Sequence, residues 1–109
     1  MLPSQVVQEI ARLTQENSRG ADALYEAEVA LAEAEHHLDT VEQTAFIKNE
    51  GTVADRTALA KLESADARLQ RDLRRAEHNR IKVKIKTIET SLMALGTQVK
   101  LMQAEMRWA

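Results

Sequence analysis

The side chains of this sequence that could do chemistry are carboxylates, three histidines and a cluster of arginines and lysines, because the chain of 109 residues contains no cysteine. Thiolate nucleophiles and disulfides are thereby excluded, which fits a reducing cytoplasm. The metal cue is Glu33-Ala34-Glu35-His36, since Glu-x-x-His on a helix is the ligand pair of di-iron four-helix bundles. Such a centre needs a second pair and two more inward glutamates. Ala76-Glu77-His78-Asn79 echoes the segment but has no glutamate three residues before His78. No metal and no cofactor is expected, and the histidines read as surface residues. With no glycine-rich loop, no glycine-flanked serine and no candidate oxyanion site, no enzyme is expected either.

The basic cluster is the stronger signal. From Arg68 to Lys86 the chain places eight basic residues against two acidic ones, a local charge of +6 in a protein whose net charge is −2, so the remainder carries −8. Such a division points to a partner or to self-assembly. On a helical wheel Arg68, Arg71, Arg75, Lys82 and Lys86 fall within about 60° of one another, a stripe suited to a phosphate backbone, while Arg80 and Lys84 project elsewhere. In an antiparallel hairpin Arg68 to Arg75 would come opposite Glu26 to Glu35 and could be taken up in ion pairs. Lys82, Lys84 and Lys86 lie beyond that acidic stretch. Single-strand binding commonly adds stacking aromatics, and only Tyr25, Phe46 and Trp108 are present. Phe46, beside a turn, and Trp108, near the terminus, read as packing residues.

The elements that position these groups are helices. Aromatics make up 3% of the chain and there is one proline, so the apolar 44% is mostly Ala, Leu, Ile, Val and Met, a helix-forming alphabet. The chain is long enough for one domain with a modest core. It has no apolar run long enough to span a membrane and no signal-peptide pattern, so a cytoplasmic protein is expected. Val6, Ile10 and Leu13 predict a short helix over 4–19, opened by Pro3 and stopping near Gly20. Over 21–49 the heptad Leu24, Leu31, Leu38, Ala45 with Ala27, Ala34, Val41 predicts a coiled-coil helix with an acidic outer surface. Gly51-Thr52, with Asp55 three residues on, predicts a turn and a capped helix start.

A long helix over 53–107 follows, with a break possible at Gly96. Its first part reads as a seam of Leu59, Leu62, Asp66, Leu69, Leu73 and Ala76, with Asp66 its one polar interruption. A run of fours through Leu73, Glu77, Ile81 and Ile85 then predicts a rotation of the apolar stripe and a change of partner near 76–82. The alternation of basic and β-branched residues from Arg80 to Lys86 also suits a strand, but no second strand exists to pair with it. At about 1.5 Å per residue the stretch from Val53 to Leu95 alone overhangs the 21–49 helix by roughly 20 Å. Ile81, Ile85, Ile88, Leu92, Leu95, Val99, Met102 and Met106 would then form an exposed seam, partly covered by the N-terminal helix and otherwise by a homo-oligomer. The fold class is therefore all-α, a long coiled-coil-like helical hairpin with a short N-terminal helix, assembling through its C-terminal helix.

The layout carries a resemblance. An acidic helix with Leu24-Tyr25-Glu26-Ala27 and Ala32-Glu33-Ala34-Glu35, the Gly51-Thr52 turn followed by Arg56-Thr57-Ala58, then Ser64-Ala65-Asp66 and a basic helix ending in Gln98-Val99-Lys100-Leu101-Met102, resembles the small recombination mediator proteins of bacteriophages, the UvsY-like group. The resemblance covers most of residues 21–107. It implies single-stranded DNA binding, a hexameric or heptameric ring joined through the C-terminal helices, and assistance to a RecA-like recombinase in displacing single-strand binding protein, in a host cytoplasm. The family carries basic residues before its central loop, where this sequence has only Lys48, so the DNA-contacting role would move to the second helix. The rival from another class is a structural coiled-coil adaptor, assembly chaperone or inhibitor that grips a protein partner without nucleic acid.

Overall fold

The computed structural model describes residues 2–108, and the protein is an all-α helical hairpin. Three helices account for it: α1 (Pro3–Lys48), α2 (Val53–Glu63) and α3 (Ala65–Trp108). Contacts gather into two compact units, one built from residues 25–80 and the other from the two chain ends, 2–24 with 81–108. Among the described residues no helix is long and apolar enough to cross a membrane.

The hairpin unit is shaped by its turn. Gly51 takes φ +117°, a conformation that side chains rarely adopt. Thr52 caps α2: its hydroxyl accepts from the Asp55 backbone N–H at 3.1 Å, and the Asp55 carboxylate accepts from the Thr52 N–H at 3.4 Å. On the other side of the turn Asn49 donates to the Ala45 carbonyl (2.7 Å) and to Glu63 (3.4 Å), and Lys48 pairs with Glu63 at 3.1 Å. These hydrogen bonds, Lys48 first and Asn49 second, hold the Glu63 carboxyl below the usual carboxylate range. Arg56 lies over the Phe46 ring, 4.2 Å from its centroid, and donates to the Phe46 carbonyl at 2.9 Å. The turn is thus closed by polar groups bridging both arms.

The seam of this unit differs from expectation. On α1 it is the heptad already named, with Ala27, Leu38 and Ala45 buried and Leu31, Ala34 and Val41 half-buried. On the second arm the buried residues are Ala60, Ser64 and Ala67, continued by half-buried Arg71 and His78. Leu59, Leu62, Leu69 and Leu73, expected to line the hairpin, point outward and are 38%, 73%, 56% and 54% exposed. The inner positions 60, 64, 67, 71, 78, 81, 85, 88, 92, 95, 99 and 102 fit an alternation of four and three, interrupted only at exposed Arg74. The apolar stripe does move around the helix near 76–82, from outward Leu69 and Leu73 to inward Ile81, Ile85 and Ile88, while the packed face keeps one phase. A helix presents one phase to its partner, and the run of Ile, Leu and Val after residue 80 fixes that phase. The leucines before it fall on the far side.

The single helix expected over 53–107 is interrupted at Ser64, which is fully buried and separates α2 from α3. Its hydroxyl donates to the Lys61 carbonyl (3.3 Å) and accepts from Arg68 Nη2 (3.1 Å), the local competition with backbone bonding that serine offers. The helical bonds on either side, Ser64 N to Ala60 O and Arg68 N to Ser64 O, are kept, so the interruption is one residue wide.

In the unit formed by the chain ends, α1 runs through Gly20 without stopping. The reason is packing: a Cβ on Gly20 would meet Ile85 Cγ1 at 3.0 Å, so the missing side chain is the space Ile85 occupies. Val6, Leu13, Ile88 and Leu95 form the buried cluster, joined by Ile10, Leu92, Val99 and Met102. The seam expected to be open for subunit assembly is therefore covered within the chain. Of its eight residues only Met106 is exposed; Ile81, Ile85, Leu92, Val99 and Met102 are half-buried. The helix that carries the 21–49 heptad is the whole of α1, Pro3–Lys48. Gly96, where a break was possible, lies inside α3 with nothing within 4 Å of a would-be Cβ.

Candidate nucleic-acid interface

All seven sequence-predicted DNA-contacting residues lie on α3, and the structure separates them by what they touch. Within the hairpin unit four are engaged. Arg68 is half-buried and bonds Ser64. Arg71, also half-buried, donates to the neighbouring Asp72 carboxylate at 2.7 Å. Arg75 reaches Glu35 of α1 at 3.7 Å, the interhelical pairing that the acidic arm implied. Arg80 pairs with Glu77 one turn earlier at 2.9 Å, which raises its already high pKa further. Exposed pairs of this kind contribute about 0 to 1 kcal/mol each, so they bind their arginines only loosely. Arg74, which sequence reasoning left out of the site, is exposed and makes no ion pair among the described residues. Nothing in its spacing distinguished it from its neighbours.

In the unit of the chain ends, Lys82, Lys84 and Lys86 are exposed and make no ion pair among the described residues. Residues 1–24 and 81–109 hold seven basic against five acidic side chains, whereas 25–80 holds eight against twelve. The unpaired lysines thus stand in the cationic part of the chain. Lys82 and Lys86, four apart, share a face, and Lys84 lies on the other side of the helix. Beside Lys86 a shallow groove is lined by Val83, Thr87, Thr90 and Ser91. Thr87 donates to the Val83 carbonyl and Thr90 to that of Lys86, each at 3.0 Å, leaving hydroxyl oxygens free to accept. These hydroxyls, each four residues after its carbonyl partner, were legible as neighbours of the lysines but carried no basic signal.

The remaining expected groups sort as follows. Glu33, His36 and His37 are exposed, and among the described residues no group of three His, Asp or Glu is placed to hold a metal. His78 is instead a seam residue, its Nε2 3.6 Å from Glu28 and without a hydrogen-bond partner. Phe46 packs under Arg56 as expected, but Trp108 is 90% exposed and Tyr25 68%, so neither is held in a core. No family model matches the chain, and no curated protein and no solved structure matches it significantly.

Proposed function

We propose that this chain is a non-enzymatic single-stranded DNA-binding protein that serves as a recombination mediator or accessory protein to a RecA-like recombinase. The DNA half of the proposal is carried by one observation: Lys82, Lys84 and Lys86 are exposed and unpaired among the described residues, in the cationic part of the chain. Ammonium groups so placed would neutralise backbone phosphates and release condensed counterions, a contact that reads charge and not sequence. Exposed Tyr25 and Trp108 would be available for base stacking. The recombinase half, with single-strand binding protein as the displaced competitor and a hexameric or heptameric assembly, rests on the resemblance alone. Since the Ile81–Met102 seam is covered within the chain, such an assembly would have to use another surface.

The test is fluorescence anisotropy of a labelled oligothymidine at about 50 mM salt, where phosphate contacts are strongest. Replacing Lys82, Lys84 and Lys86 together by Ala should weaken binding and reduce the salt slope by up to about 2, at roughly 0.7 per lost contact to a single strand. Absence of binding at low salt refutes the proposal. A second reading, a coiled-coil adaptor that grips a protein, is favoured by the four outward leucines of the second arm.

A further inference from the structure

Leu59, Leu62, Leu69 and Leu73 all lie in the hairpin unit, on the face of α2 and α3 turned away from α1. Their steps of three, seven and four place them on one side of the helix, with Ala76 continuing the line, which is the spacing of a coiled-coil seam. The second arm therefore carries two seams: a covered one of Ala60, Ser64, Ala67, Arg71 and His78, and an open one richer in leucine. Scattered exposed leucines need no explanation, but here two in-phase pairs, Leu59 with Leu62 and Leu69 with Leu73, flank one exposed carboxylate, Asp66, on the same line.

The charges beside the row state what would cover it. Side chains three or four residues apart are neighbours on a helix surface. Applied to the four leucines, that rule gives the ionisable neighbours Asp55, Arg56, Glu63, Asp66, Asp72 and Glu77. Five are acidic. The exception, Arg56, is turned away onto Phe46. Asp66 makes no ion pair among the described residues, and the pairs of Glu63 and Glu77 are exposed, so these can be exchanged for charges on a partner, whereas Asp55 is held in the α2 cap and Asp72 by half-buried Arg71. A second copy docking by the same row would bring these carboxylates against their own kind.

We propose that this row is the docking face for a basic amphipathic helix of a partner protein, leucine-type side chains entering between Leu59, Leu62, Leu69 and Leu73 and lysine or arginine side chains meeting Asp66 within the row and the carboxylates beside it. This surface does not depend on the DNA reading, because none of the three unpaired lysines belongs to it.

The experiment uses the full chain and a labelled 21-residue helical peptide of leucine and lysine with leucines at three-four spacing. Its counterpart carries glutamate in place of lysine. Binding is followed by anisotropy, and the protein's own mass by sedimentation equilibrium. The expected result is that the leucine-lysine peptide binds and the leucine-glutamate peptide does not. L69S/L73S should weaken binding about ten- to a hundredfold, in line with losing two half-exposed leucine contacts, while circular dichroism shows its helicity unchanged. Asp66→Asn should flatten the salt dependence without abolishing binding. The proposal is overturned if neither peptide binds, if both bind alike, or if L69S/L73S binds as well as the parent. It is also overturned if the parent sediments as a dimer that L69S/L73S dissociates, which would make a second copy the occupant.

Discussion

Gly20 and Gly96 occupy comparable mid-helix positions with opposite surroundings, and exchanging each for alanine separates backbone propensity from packing. In a helix interior alanine is favoured over glycine by about 1 kcal/mol. At Gly96 nothing lies within 4 Å of the new methyl, so Gly96→Ala should realise most of that gain and raise the melting temperature by a few degrees. At Gly20 the methyl would sit 3.0 Å from Ile85 Cγ1 and 3.5 Å from Cδ1. Cγ1 is anchored next to the Ile85 Cβ, so relief requires a rotamer change or separation of the helices. Overpacking of this kind costs about 1 to 3 kcal/mol, so Gly20→Ala should be neutral to destabilising by about 2 kcal/mol after the propensity gain is subtracted. Urea denaturation followed by circular dichroism reads both variants. Adding Ile85→Ala should recover part of the loss, so that the double variant is more stable than the sum of the single effects predicts by about 1 kcal/mol or more. If Gly20→Ala stabilises as much as Gly96→Ala, the close approach of Ile85 is wrong, and with it the reason given for α1 running through residue 20.

The other expectations are briefer. Thr52→Ala removes the hydroxyl half of the capping box and should lower stability by about 1 kcal/mol, read as a lower urea midpoint with unchanged slope. The Glu63 carboxyl is held low by Lys48 and Asn49, so its folded-state pKa lies below its unfolded one. Its contribution is present above the ordinary glutamate pKa of about 4.3 and is lost as pH falls through the lower folded value. Glu63→Gln should therefore flatten the fall in stability below that pH; an unchanged acid limb would show that the pairing contributes nothing. The lysine triple variant should lower the salt slope for oligothymidine, and L69S/L73S should lose the leucine-lysine peptide while keeping its helicity.

Much of the fold could be read from residue spacing. The helical alphabet, the 24–45 heptad and the Gly51-Thr52 turn with Asp55 as its cap each have a local cause, and local causes survive into the folded chain. What escaped was phase. Val6, Ile10 and Leu13 belong to the same heptad as Leu24 and Ala27, but the two positions that connect them are Asn17 and Gly20, which read as a stop. On the second arm the leucines exceed Ala60, Ser64 and Ala67 in hydrophobicity, yet a close-packed seam rewards fit, and the small side chains are the ones that are buried in the hairpin unit. Of the candidate site, the pairing of Arg75 with the acidic arm followed from charge order along the chain, whereas the Arg80–Glu77 pair and the exposure of Arg74 did not. The exposure of Trp108 did not, since nothing in the sequence says whether a terminal aromatic finds a neighbour.

The distribution of small and large side chains along the two arms bears on the order in which the molecule forms. The richest cluster, Val6, Leu13, Ile88 and Leu95, joins the two extremities of the chain, whereas the contacts beside Gly51 join near neighbours and are made largely of alanine, serine and polar groups. Closing a long loop costs more entropy than closing a short one, and each contact made nearer the turn shortens the loop that remains. The polar turn and the alanine seam therefore act as a zipper pull: weak in themselves, they form first and bring the ends within reach. Amides around Val6, Leu13, Ile88 and Leu95 should accordingly gain exchange protection later in refolding than those around Ala45 and Ala60, and pulsed hydrogen exchange reads that order.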